Sequence, residues 1–214
     1  MKKISFIILS LIFTFANNVL ANSALNKSLH EIQKQWAIIK YETAENLQEI
    51  AYKALAEKAH QLSSQNPSNA EPLIWEAIIL STLAGSEGGL DALSSVKKAK
   101  TLLEKSLAIN PDALNSGAYT SLGALYYQVP GWPLSFGDDD KARENLEIAI
   151  TKNPKSIDAN FFYAEFLTDQ DEYEKAIKFY NKALNSPARS DRPLADEGRK
   201  EEIKLAMNKI QSRI

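Results

Sequence analysis

Apolar positions recur along most of the chain with the 3.6-residue period of an α-helix. In Tyr173, Ala176, Ile177, Tyr180, Ala183 and Leu184 the spacing is i, i+3, i+4, i+7, i+10 and i+11, one helical face. Lys175, Lys178 and Lys182 fall on the other side. After residue 22 no stretch alternates strictly between apolar and polar, and the hairpin dipeptides Asn-Gly and Asp-Gly do not occur. The pattern predicts an all-α fold with helices over 25–41, 44–64, 70–84, 91–109, 113–128, 139–152, 156–169, 172–185 and 194–212. No Gly or Pro lies between Ile32 and Asn66, and Ile32, Trp36, Ile39, Thr43, Leu47, Ile50 and Ala54 share one stripe. One long helix and a helical pair both fit residues 25–64; the pair is preferred, with a break near Thr43 as N-cap.

The helices repeat. Pro67, Pro111 and Pro154 each follow an Asn and each close an apolar-periodic helix. Ala99, Leu103 and Ser106 lie 12, 8 and 5 residues before Pro111, and Ala142, Leu146 and Ala149 occupy the same offsets before Pro154. Eight residues after each proline stands an aromatic (Trp75, Tyr119, Phe162), and ten after stands a small residue (Ala77, Ser121, Ala164). Ala176, Tyr180 and Ala183 continue the series, with Pro187 one residue early. The unit is helix, turn, helix, Asn-Pro. Such a unit cannot bury its own apolar face, and stacking units side by side buries a continuous core. The aromatic at the shared position is expected in the core or on the inner helix. Residues 195–213 carry a stripe of Ile203, Ala206, Met207 and Ile210, with Asp196 and Glu197 in the first turn, and are expected to cap the array.

The small–large–small spacing closed by proline resembles the tetratricopeptide repeat. Ala142, Leu146, Ala149 and Pro154 match the motif of its second helix, as do Ala176, Tyr180 and Ala183; Gly123 and Tyr126 resemble the signature of its first. The resemblance covers residues 70–187 and implies a helical-repeat solenoid with a C-terminal capping helix. Two further segments, 126–133 (Tyr126-Tyr127-Gln128-Val129-Pro130-Gly131-Trp132-Pro133) with 136–140, and 189–196, resemble a bacterial exported tetratricopeptide group. That group is similar to the T component associated with TRAP-type solute transporters. It implies a protein partner, a periplasmic solute-receptor component of such a system.

Two connections exceed a normal repeat turn: Ala84–Leu90, with Gly85, Gly88 and Gly89, and Val129–Asp138, with Pro130, Gly131, Trp132, Pro133 and Gly137. Long connections inside compact repeats are commonly functional or disordered. The second holds too much Trp, Phe and Leu for plain disorder. Trp132 and Phe136 are either an aromatic anchor for a partner or a plug in the solenoid.

Residues 1–21 read as a secretory signal peptide. Lys2 and Lys3 form the positive end, a 13-residue apolar run spans Ile4–Ala16, and Val19-Leu20-Ala21 supplies a cleavage site before Asn22. The run is shorter than the roughly 20 residues that cross a bilayer. Without a Cys there is no lipid attachment at the new N-terminus. The expected mature product is a single helical-repeat domain over 22–214, periplasmic or secreted, with no stable membrane insertion.

Composition narrows the chemistry. The chain has 214 residues, no Cys and a formal net charge of −2. No Cys means no disulfide scaffold, thiol nucleophile or thiolate metal site, and the charge balance disfavours a nucleic-acid binder. His30 and His60 are the imidazoles, and no nucleophile elbow, phosphate loop or His-x-x-x-His pair accompanies them. His60 is expected as a partly exposed helix residue. Asp138-Asp139-Asp140 is expected to start a helix, not to hold a cation. No catalytic, cofactor or metal site is expected. The expected function is a non-enzymatic binding module for a protein or peptide, with a concave face as one surface and Tyr126, Tyr127, Trp132, Phe136, Asp138, Asp139, Arg189 and Arg192 as another. Arg189 or Arg192 is expected to reach the acids at 138–140. The alternatives are an assembly factor for an envelope complex and a small-solute binder.

Overall fold

The computed structural model describes the backbone of residues 4–211 and side chains from Ser23 to Gln211. The leader expected at 1–21, with its cleavage site, lies outside the residues whose side chains are described. Among the described residues the chain forms nine helices: α1 (Ile4–Glu42), α2 (Glu45–Gln65), α3 (Ala70–Glu87), α4 (Gly89–Ile109), α5 (Ala113–Gln128), α6 (Asp139–Lys152), α7 (Ile157–Asp169), α8 (Tyr173–Leu184) and α9 (Pro193–Gln211). Among them no helix is long and apolar enough to cross a membrane.

The repeat register explains the packing. Ala99, Leu103 and Ser106 on α4, Ala142, Leu146 and Ala149 on α6, and Ala176, Tyr180 and Ala183 on α8 are all at most 1% exposed. The small residues bring helix axes close, and the large one fills the space between them. The pairs α3/α4, α5/α6 and α7/α8 pack most extensively, and α3 touches α5 as α5 touches α7. The first helices of the pairs therefore form one row, and α1 joins it against α3. This is a tetratricopeptide-like solenoid.

Helix ends follow local chemistry. Asp138 Oδ1 accepts from the Lys141 amide at 3.1 Å, and Ser156 Oγ accepts from Ala159 at 3.1 Å, so both residues cap the helix that follows. Three expected boundaries shift. The break between α1 and α2 is real, but Ala44 holds the N-cap position; the Thr43 hydroxyl donates back to the Ile38 carbonyl and closes α1. The expected long connection 84–90 is a one-residue turn: α3 runs through Gly85 to Glu87, and Gly88, at φ 71°, reverses the chain into α4. Positive φ at that corner is where glycine is suited. Regular helix in α5 starts only after Leu114, Asn115 and Ser116, a left-handed turn at φ 49°, 55° and 66°.

The C-terminal helix does more than cap. Ile203 and Ile210 are buried in the main core, and Ala206 and Met207 pack on it, as the stripe predicts. Yet α9 also touches both α1 and α7, the two ends of the first-helix row. It therefore links the two ends of that row. Ala195 joins Trp36, Trp75 and Leu83 in a second apolar cluster, and a Cβ on Gly198 would lie 2.4 Å from the Tyr41 ring.

Candidate functional site

Segment 129–138 closes on itself. Gly137 donates to the Pro130 carbonyl at 3.0 Å, Leu134 and Ser135 donate to Gly131, and Asp138 donates to Tyr126 at 2.8 Å. An isolated bridge pairs Gly131 with Gly137. These bonds set the direction of each side chain. Phe136 turns inward, edge-on to Tyr126 at 5.8 Å, and packs on the core. Lys100 lies 5.8 Å from the Phe136 ring centre, and Lys141 lies 5.6 Å from that of Tyr126. Trp132 turns outward and is 89% exposed; Leu134 is 67% exposed beside it. The two candidate roles thus divide: Phe136 is the plug, and Trp132 stands free on a braced loop. Leu134 carries no sequence signal separating it from a core leucine.

The other candidates disperse. Tyr127 faces away from the loop and tilts against Phe166 at 5.8 Å. Asp138 is the N-cap of α6, and the Lys141 amide donating to it holds its carboxyl below the usual aspartate range. Asp139 accepts from Gln170 at 3.2 Å. Arg189 and Arg192 do not reach the acids at 138–140. Arg189 binds Asp196 through its Nε at 2.6 Å and Asp158 through Nη1 at 2.7 Å. Arg192 lies over the Trp75 ring, 4.9 Å from its centre. Opposite charge pointed to the wrong carboxylates, because Asp158 at the start of α7 and Asp196 in α9 are nearer in space.

Around Asp158 a charged network fastens α9. Arg199 donates from Nε to Asp158 at 3.1 Å and from Nη1 to Glu202 at 2.7 Å. Its guanidinium lies 4.2 Å from Phe161 and 4.9 Å from Phe162. Burial pushes the Asp158 carboxyl up, but the charges of Arg199 and Arg189 outweigh this and bring it down to about 2. A cavity of about 420 Å³ opens beside this network, lined by Ala188, Arg189, Pro193, Asp196 and Lys200 among others.

The remaining reactive groups meet at Glu76, which is 1% exposed. His60 Nδ1 lies 3.0 Å and Lys98 Nζ 2.9 Å from its Oε1, while the Ser63 hydroxyl donates to Oε2. The Ser63 hydroxyl donates to the Glu76 carboxylate, not to the imidazole. Burial raises the Glu76 carboxyl, and the bonds from Ser63 and Lys98 more than offset that, leaving it below the usual glutamate range. The cluster ties α2, α3 and α4 together, with His60 half-exposed at its edge as expected. Among the described residues no group of three or more His, Asp or Glu is placed to hold a metal ion.

Fold and site together define a tetratricopeptide-like helical-repeat solenoid with an aromatic-tipped loop. The chain is similar to a tetratricopeptide repeat and J domain-containing co-chaperone, DNJ1, of Mycosarcoma maydis, 26% identical over 121 residues. The match covers 56% of this chain but only 18% of the relative. No protein-family profile matches the chain.

Proposed function

We propose that the protein is a non-enzymatic, exported interaction module that grips a protein partner through Trp132 and Leu134. The observation carrying this reading is the exposure of Trp132 at the tip of a loop whose backbone is closed by hydrogen bonds. A large aromatic held in place in solvent loses little conformational freedom on binding and gains a large desolvated area, as binding hot spots do. The repeat-bearing relative supports a protein as partner. Export is supported by the sequence pattern of residues 1–21. Within that compartment the partner is a solute-receptor component of a TRAP-type transporter, supported by the resemblance of segments 126–140 and 189–196.

The test is paired capture from envelope extract with the full chain, Trp132→Ala and Leu205→Ala. Leu205 is also exposed but lies on α9. A partner retained by wild type and Leu205→Ala, and weakened by roughly 2 kcal/mol or more in Trp132→Ala, supports the loop. Equal capture by all three sinks it. Recovery of a partner that is not a solute receptor leaves the loop intact and removes the transporter assignment.

A further inference from the structure

We propose that the cavity between residues 188–190 and α9 binds a free α-amino acid with a small neutral side chain, its carboxylate held by Lys200 and its ammonium by Glu197. The site is separate from the 129–138 loop, needs no movement of α9 and does not rest on the reading of Trp132.

The walls of the cavity are fixed. On one side the Arg189 amide donates to Asp196 Oδ2 at 2.7 Å and its Nε donates to Oδ1 at 2.6 Å, while the Arg192 amide donates back to the Arg189 carbonyl at 3.0 Å. Arg189 also reaches Asp158 on α7 at 2.7 Å. The connection is therefore fastened both to the first turn of α9 and to the solenoid. On the other side α9 is anchored by Ile203 and Ile210, which are at most 1% exposed. About 420 Å³ lies between these walls, which is within the range of small-ligand sites. Walls held in place before binding lose little freedom when the site fills.

The charges that line this space decide what fits. Arg189 is neutralised by Asp158 and Asp196, and Lys204 by Glu201. The lining then leaves one cation, Lys200, and one anion, Glu197, three residues apart on α9. Neither makes a hydrogen bond or ion pair to any described residue, and they do not pair with each other. Lys200 is half-buried and Glu197 is exposed. A lone anion entering the cavity meets the carboxylates of Asp196, Glu197 and Glu201, and a lone cation meets Arg189, Lys200 and Lys204. In both cases like-charge repulsion offsets the attraction. A zwitterion answers both unpaired charges at once and brings no net charge. The Ser190 hydroxyl, on the wall facing α9, is a further donor for its carboxylate. Ala188 and Pro193 are the apolar part of the lining. A small uncharged side chain suits them, whereas a third charge on the ligand would find no free counter-charge.

The test is calorimetric titration of the full chain with three probes: L-alanine, acetate and methylammonium. L-Alanine is expected to bind saturably, and acetate and methylammonium, with one charge each, at least tenfold more weakly. Lys200→Gln and Glu197→Gln, at positions without a protein partner, should keep the wild-type melting temperature and weaken L-alanine binding at least tenfold. Trp132→Ala should bind L-alanine as wild type does, which keeps this outcome apart from that of the loop. No saturable binding of L-alanine up to about 10 mM overturns the proposal. Acetate binding as tightly as L-alanine overturns it in favour of a simple anion site. Undiminished binding by Lys200→Gln or Glu197→Gln shows that the lining charges take no part, and overturns it too. The comparison of probes is made on the wild-type chain, so it decides even where a variant fails to fold.

Discussion

At Gly137 the loop has no room for a side chain. A Cβ there would lie 1.9 Å from the Val129 carbonyl oxygen and 2.9 Å from the Gly131 amide nitrogen. Both are backbone atoms, so neither can swing aside. Gly137→Ala is expected to force the loop open and to cost about 2 kcal/mol or more. Trp132→Ala, at an exposed position, should stay within about 0.5 kcal/mol. Thermal melts of the two variants check this, and equal losses would show that the loop is not closed as described. The sequence marks Trp132 and Phe136 as one pair with one unresolved role. Their roles separate only when Gly131 and Gly137 pair, because that closure decides which ring faces the core. Backbone pairing across a ten-residue loop leaves no periodic trace in the chain, so this part of the site was not legible.

Between elements, the repeat register was legible almost residue by residue, because a 3.6-residue period converts directly into a buried stripe. Gly123 gives the reason for the close approach of α5 and α6: a Cβ there would lie 2.5 Å from Leu146 Cγ. Gly123→Ala is expected to overpack that contact by about 1–3 kcal/mol, as is Ala149→Leu one turn further along α6. Lys152→Gln removes only an exposed ion pair to Asp112 and should leave the melting temperature close to that of wild type. Melting temperatures that rank Lys152→Gln with the other two would break the packing assignment. The elements misread are those where packing overrides local signals. Gly85 costs helix propensity of roughly 1 kcal/mol, yet α3 continues through it, fastened by its buried face. The left-handed turn at 114–116 has no glycine to announce it.

For the whole molecule, the ends matter most. If residues 1–21 are a leader, N-terminal sequencing of the exported protein should begin at Asn22; a sequence still beginning at Met1 refutes cleavage. The cap function of α9 was legible from its apolar stripe. Its contact with both α1 and α7 was not, since which carboxylate an arginine finds depends on how the assembled helices sit. That charge network makes a specific pH dependence. The folded protein holds Asp158 down to about 2, against an ordinary value of 3.8. A depressed carboxyl contributes stability that is complete above the ordinary value and is lost as pH falls through the folded one. The Asp158 side chain keeps 29% exposure, so water weakens the pairing and the contribution is on the order of 1–2 kcal/mol. Asp158→Asn should therefore be less stable than wild type at pH 7, and the gap should close as pH falls from about 4 to about 2. Chemical denaturation of both proteins across that range measures the gap. A gap that stays constant would mean that Asp158 does not fasten α9 through its charge.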